Sequence, residues 1–326
     1  MKAFDAAALA ETKVVVYDPV RANMQTTRAV LSGIGIRRVD GYVEFADFCR
    51  RLVSPETDLV LLECPGEGID GPSVVRDIRV GAIGSNPFVP LVGTSWNGAT
   101  EVIADLINAG ADDVLLRPFS AVMLAERMRH IVMRRKAFVV TSDYIGPDRG
   151  KAGDGREGAE TFIPPNPLRT RLSVSEAIDP IAAAMALEDA KLKVRRSRAA
   201  KLARRAAMAA EVTFQSGEAK SEATFVADLV KTVEELVALV LADGEDDLQD
   251  MAQLLESVAL RAATPGPEQQ ENARLALELA LGLYLAYATD DRDSVQAALD
   301  ETLQAVRDRL DKARERRLRR QSILAA

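Results

Sequence analysis

The sequence has almost no histidine: His130 is the only one in 326 residues. Cysteine is nearly as scarce, with Cys49 and Cys64 alone, and aromatic residues make up only 5%. Zinc fingers, multi-histidine metal hydrolases and cysteine-rich secreted scaffolds all need more of these residues and are excluded. A phosphorelay histidine would have to be His130 or none. Its surroundings, Arg127 to Lys136, lack the sequence of a histidine kinase and read as a solvated basic helix end. Cys49 and Cys64 read as reduced cytoplasmic thiols, and Cys64 as core packing. Long hydrophobic runs are missing as well. The most apolar stretch, Leu275 to Ala288, contains Glu278 and is too short to span a bilayer. The N-terminal stretch Met1 to Thr12 carries Lys2, Asp5 and Glu11 and no signal-peptide core. The expectation is a cytoplasmic protein with aliphatic cores and no membrane contact.

What is present divides the chain. A mass of 35.3 kDa suits two domains. Residues 13–136 alternate β-rich runs with helical patterns. The runs are Lys13–Tyr17, Asp58–Glu63, Val89–Gly93 and Asp113–Leu116, with a weaker one near Ile36–Val39. Continuous apolar runs such as Leu59–Leu62 suit strands buried on both faces. Amphipathic stretches lead to Gly33 and Gly110, the expected helix stops. The pattern predicts a doubly wound, five-stranded parallel sheet, with the site at the carboxyl ends of its strands. Residues 1–12 read as a tail. Residues 137–172, rich in proline and glycine, read as a linker. Residues 173–326 read as an all-α helical bundle. Its long first helix, about Ser175–Thr213, has Pro180 in its first turn or at a kink. Further helices are marked by Phe225–Leu241, Leu248–Val258, Leu275–Leu285 and Val295–Leu310.

The strand ends carry an ordered set of residues. The first strand ends Tyr17-Asp18-Pro19 and the third ends in Glu63, followed by Cys64 and a closing Asp70-Gly71. The fourth leads to Thr94-Ser95, and the fifth to Arg117-Pro118-Phe119. This series resembles the receiver domain of bacterial response regulators, over about 125 residues. The resemblance implies a flavodoxin-like fold and a phosphoacceptor pocket with altered chemistry. Asp18 matches the first metal-binding acid, but Pro19 replaces the second and offers no side-chain oxygen. Glu63 stands where the family has its phosphoacceptor aspartate. Ser95 matches the hydroxyl residue by its spacing to the fifth strand, with Thr94 as the fallback. Arg117 replaces the lysine, and Val114 replaces the switch aromatic. The resemblance leaves at most a weak Mg2+ site at Asp18 and Glu63, and no resident cofactor is expected. A Glu63–Arg117 ion pair is expected in place of the phosphoryl–lysine contact. The run Asp143-Tyr-Ile-Gly-Pro-Asp148-Arg149-Gly resembles an extension that follows some proteobacterial receivers, which implies a bacterial source.

Residues 173–326 show none of the motifs of a catalytic output. Diguanylate cyclase, phosphodiesterase and Walker A signatures are missing, as is a helix-turn-helix with a basic recognition helix. Charge is segregated instead. The net charge of −7 resolves into −3 over residues 1–186, a local +6 over 187–210, −15 over 211–306 and +5 over 307–320. Arg195, Arg196, Arg198, Arg204 and Arg205 are candidates for docking a partner or a second copy, against the alternative of screening within the fold. The sequence therefore predicts a non-catalytic signalling protein. Its altered receiver would serve as an interaction or adaptor module in a two-component pathway, with a protein partner or a homodimer. By resemblance, contact would fall on the face of the receiver's fourth and fifth helices and fifth strand. A phosphorylatable regulator controlling the helical output is the second reading. An RNA-binding, antiterminator-like regulator ranks below it, because the basic helices lack interleaved aromatics and the acidic bundle would repel phosphate.

Overall fold

The structure, a computed structural model, describes residues 4–64, 69–150, 161–173, 179–216, 222–288 and ten positions between 297 and 312. The chain forms two compact units, Met1–Leu192 and Lys193–Ala326.

In the first unit five parallel strands form one sheet. They are β1 (Lys13–Tyr17), β2 (Arg38–Tyr42), β3 (Leu59–Glu63), β4 (Leu91–Ser95) and β5 (Asp113–Leu116), in the order β2-β1-β3-β4-β5. That order is the doubly wound, flavodoxin-like one, and all pairings are parallel. The central strands are apolar because helices cover both faces. Val14 and Val16 join one core layer, while Val15 and Tyr17 join the other, as a period of two requires. The helices are α1 (Ala6–Glu11), α2 (Arg21–Ile34), α3 (Phe45–Leu52), α4 (Gly71–Val80), α5 (Thr100–Ala109) and α6 (Ala121–Arg134). Gly110 ends α5 in the left-handed region, as expected; α2 runs through Gly33 and stops at Gly35, with φ 109°.

Two segments depart from the sequence reading. Residues 1–12 are not all tail: Asp5 caps α1, whose Leu9 enters the sheet core. Residues 137–172 are not simply a linker. They contribute β6 (Phe138–Val140), β7 (Ile145–Pro147) and β8 (Thr161–Phe162), a small antiparallel sheet in the order β7-β6-β8, and α7 (Pro167–Leu172). The prolines and glycines that suggested a linker serve here as turns and caps. Pro167 opens α7 and Asn166 caps it. Phe138, Phe162 and Phe88 pack edge to face, and α7 packs on α6 and α1. The glycine-rich stretch 151–160 lies outside the described residues.

In α8 (Pro180–Ser216) Pro180 opens the helix and does not kink it. The division between units falls at residue 192, inside α8 and not at residue 173. The second unit adds α9 (Glu222–Leu241), α10 (Asp246–Ala262) and α11 (Gln269–Tyr287). α8 contributes Ala199, Ala203, Ala206, Ala207 and Ala210 to the core, small residues that let Leu229, Val233, Leu255 and Leu283 approach closely. Glu211 is completely buried among them and accepts from Arg307 Nε at 2.7 Å. Of the expected last helix, Leu303 is buried in this core; Val295, Leu299, Val306 and Leu310 lie outside the described residues. No helix among the described residues is long and apolar enough to cross a membrane.

Candidate functional site

The carboxyl ends of β1, β3, β4 and β5 converge on Arg117, which follows β5. Its backbone N–H donates to Ser95 O at 2.8 Å, which fixes where the side chain departs. The guanidinium then spans the cleft. Nε donates to Glu63 Oε2 at 2.6 Å, and Nη2 donates to Asp18 Oδ2 at 3.0 Å. Nη2 also lies 3.0 Å from Thr27 Oγ1 and 3.3 Å from Thr94 Oγ1. The side chains of Arg117, Asp18 and Glu63 are 4%, 0% and 5% exposed, so the guanidinium fills the cleft. Phe119 packs on it, with the ring centroid 5.1 Å from the guanidinium carbon.

Around this cation the strand-end residues take different roles. Asp18 Oδ1 accepts the Val20 N–H at 2.9 Å, which closes the turn into α2. Pro19 adds no acceptor beside it. Thr94, and not Ser95, supplies the hydroxyl: Thr94 Oγ1 donates to Glu63 Oε2 at 2.5 Å. The cause is the sheet register. Thr94 is the partner of Glu63 across β3 and β4, so both side chains share a face, while Ser95 points the other way. Ser95 Oγ instead accepts from Asn97 N at 3.0 Å and shapes the loop before α5. Val114 is half-buried on β5 opposite Gly93. Thr27, which no sequence signal singled out, joins because α2 brings its hydroxyl within reach of Arg117.

Electrostatically the cluster has two carboxylates and one guanidinium. Burial raises both carboxyl pKa values. For Asp18, the Val20 N–H and Arg117 partly offset it; for Glu63, Thr94 and Arg117 do. These residues do not fit Mg2+. The ion needs near-octahedral oxygen donors, Pro19 supplies no side-chain oxygen, and Arg117 already occupies the space between the two acids. Cys64 beside Glu63 is buried, and burial pushes its thiol pKa up, which keeps it protonated and unreactive. Cys49 is raised by burial in the same direction. His130 is exposed on α6.

A second arginine cluster lies at the opposite end of β4 and β5. Arg79 is fully buried. It donates from Nε to Gly110 O, from Nη1 to Pro87 O and Val89 O, and from Nη2 to Asp112 Oδ2, at 2.8–2.9 Å. Arg135 donates to both oxygens of the same carboxylate at 2.7 and 3.0 Å. The Phe138 ring packs against both guanidiniums, at 5.2 Å from Arg79 and 4.8 Å from Arg135. Desolvation pulls Arg79 down to a pKa of about 10, and the two arginines hold Asp112 below the usual carboxylate range against its own burial.

The basic run of α8 is largely spoken for within its own unit. Arg195 pairs with Asp243, Arg196 with Glu245, Arg198 with Glu235 and Arg205 with Asp228. Arg204 is exposed. Those four are each paired with an acid of the same unit.

No protein-family model matches the chain. Over 127 residues, 38% of the chain, it is 32% identical to response regulator MprA of Mycobacterium tuberculosis strain H37Rv. The chain spans about half the length of that curated relative, 52%. Among solved structures it is similar to the Vibrio cholerae chemotaxis protein CheY4, at 17% identity and a TM-score of 0.34, covering 37% of this chain and 99% of that one. It is also similar to the receiver domain of sensor histidine kinase PA1611 from Pseudomonas aeruginosa, solved with magnesium in its active-site cleft. There the identity is 24% and the TM-score 0.33, covering 37% of this chain and 97% of that one.

Proposed function

From the homology of the N-terminal unit to response-regulator receiver domains, we propose that this protein is a non-catalytic signalling protein whose receiver works without phosphoryl transfer. The observation that carries the reading is the Arg117 guanidinium, held between Asp18 and Glu63 where a cation and a phosphoryl group would have to enter. Phosphorylation would need Arg117 to leave two buried carboxylates. It would also need Glu63, one methylene longer than aspartate, to attack in line; a displacement of that size costs about 100-fold in rate. The receiver then presents one constant surface to a protein partner or to a second copy, and the helical unit supplies further interaction surface. Four of the five arginines weighed for docking are paired internally, which also weakens the case for RNA binding.

The test is to incubate the full chain with acetyl phosphate, or with beryllofluoride, in the presence of Mg2+. Intact-mass analysis should find no acyl phosphate, and amide spectra should not shift. Labelling of Glu63 would instead establish a phosphorylatable regulator.

A further inference from the structure

The run Asp143–Gly150, which the cleft does not use, has a definite place in the fold. It forms the turn and second strand of the β6–β7 hairpin. Thr141 N donates to Tyr144 O at 2.8 Å across the turn, and Asp148 N donates to Ala137 O at 2.7 Å at the open end. The Tyr144 hydroxyl donates to Pro147 O at 2.8 Å. Gly146 lies against Gly110, and a Cβ on Gly146 would come within 2.9 Å of the Gly110 Cα. Only glycine permits that approach.

The hairpin grips the entry to β5. Arg149 Nη2 donates to both Ala111 O and Asp112 O at 2.8 Å. Arg135, just before β6, holds the Asp112 carboxylate, and that carboxylate also accepts the Leu91 N–H at 2.9 Å. β5 is an edge strand of four residues, paired with β4 alone. Such a strand opens locally more readily than the centre of a sheet. Asp112 immediately precedes it and Arg117 immediately follows it.

We propose that the β6–β7 hairpin is a latch on β5: by clamping residues 110–112 from below, it keeps Arg117 seated in the cleft above. Arg149 and Tyr144 act as positioning residues through the strand. The latch rests on Arg117 as the occupant of the cleft, as the functional reading does, but not on whether Glu63 can be phosphorylated. The two therefore fail separately.

Phenylglyoxal modification of Arg117, mapped by peptide mass spectrometry in the full-length protein, reads the seating directly. Hydrogen exchange over residues 113–117 and the melting temperature are recorded alongside. Arg149→Ala removes two charge-assisted hydrogen bonds, so Arg117 modification should rise about tenfold and exchange should rise with it. Arg149→Lys, which can still cap a carbonyl, should restore protection. Arg169→Ala on α7 is the control and should move neither. Tyr144→Phe, which removes a single hydrogen bond, should give about threefold and serves if Arg149→Ala does not fold. The latch is overturned if Arg117 stays as protected as in the wild type while exchange or melting changes, because the hairpin would then be structural only. It is equally overturned if Arg149→Lys fails to restore protection, or if nothing changes.

Discussion

The two ends of the sheet hold arginine clusters of opposite stoichiometry. At the carboxyl ends one guanidinium serves two carboxylates, Asp18 and Glu63. At the amino ends two guanidiniums, Arg79 and Arg135, share one carboxylate, Asp112. Excess acid faces a cleft, where burial raises the carboxyl pKa values. Excess base is satisfied by backbone carbonyls and an aromatic ring, and the two arginines keep Asp112 ionised. The same residue types thus build a site at one end and a fastening at the other, and the backbone acceptors decide which.

The largest loss of stability is expected at the fastening. Asp112→Ala leaves Arg79 buried without its carboxylate and should cost about 3–5 kcal/mol in urea unfolding. Arg117→Ala should cost less, about 2 kcal/mol, because the stranded carboxylates can take up protons. A result in the reverse order would mean that the cleft, not the fastening, holds the sheet together.

Titration sharpens the same contrast. Asp18 and Glu63 have folded-state pKa values raised above the unfolded values of about 3.9 and 4.3, so the folded state binds protons more tightly. Their contribution to stability is present at low pH and lost as pH rises through the folded values. Asp112, shifted downward, is ionised in both states throughout pH 5–7 and adds no slope there. In urea unfolding, the contribution of these two carboxyls should therefore grow as pH falls through their raised folded values toward the unfolded ones. Glu63→Gln should shrink that gain, while Asp58, also raised by burial, preserves part of it. The smallest effect belongs to the helical unit. Arg196 and Glu245 are about half exposed, so Arg196→Ala should cost less than about 0.5 kcal/mol.

The sheet was legible because buried parallel strands are written as apolar runs, and β1 and β5 fall where those runs lie. Asp18, Glu63 and Arg117 are legible because each lies at or just after the carboxyl end of an apolar run. Spacing along the chain ranks Ser95 ahead of Thr94 because it does not report which face of β4 a side chain takes; the register with Glu63 does. The 137–172 segment was misread for a different reason. Its prolines and glycines signal turns, but they do not say whether those turns connect strands, and Phe138, Phe162 and Arg135 acquire meaning only against Phe88 and Asp112. The basic stretch of α8 was ambiguous in one dimension, since its acidic partners lie 23–49 positions away.

The Glu211–Arg307 contact constrains how the helical unit can be dissected. A shortened chain that stops before Arg307 would strand a buried carboxylate near the end of α8, with Gln215 as its remaining side-chain donor among the described residues. Such a fragment would report on that defect before it reported on any partner. Arg307 is therefore a counter-charge for α8, and experiments that remove it should carry Glu211→Gln alongside.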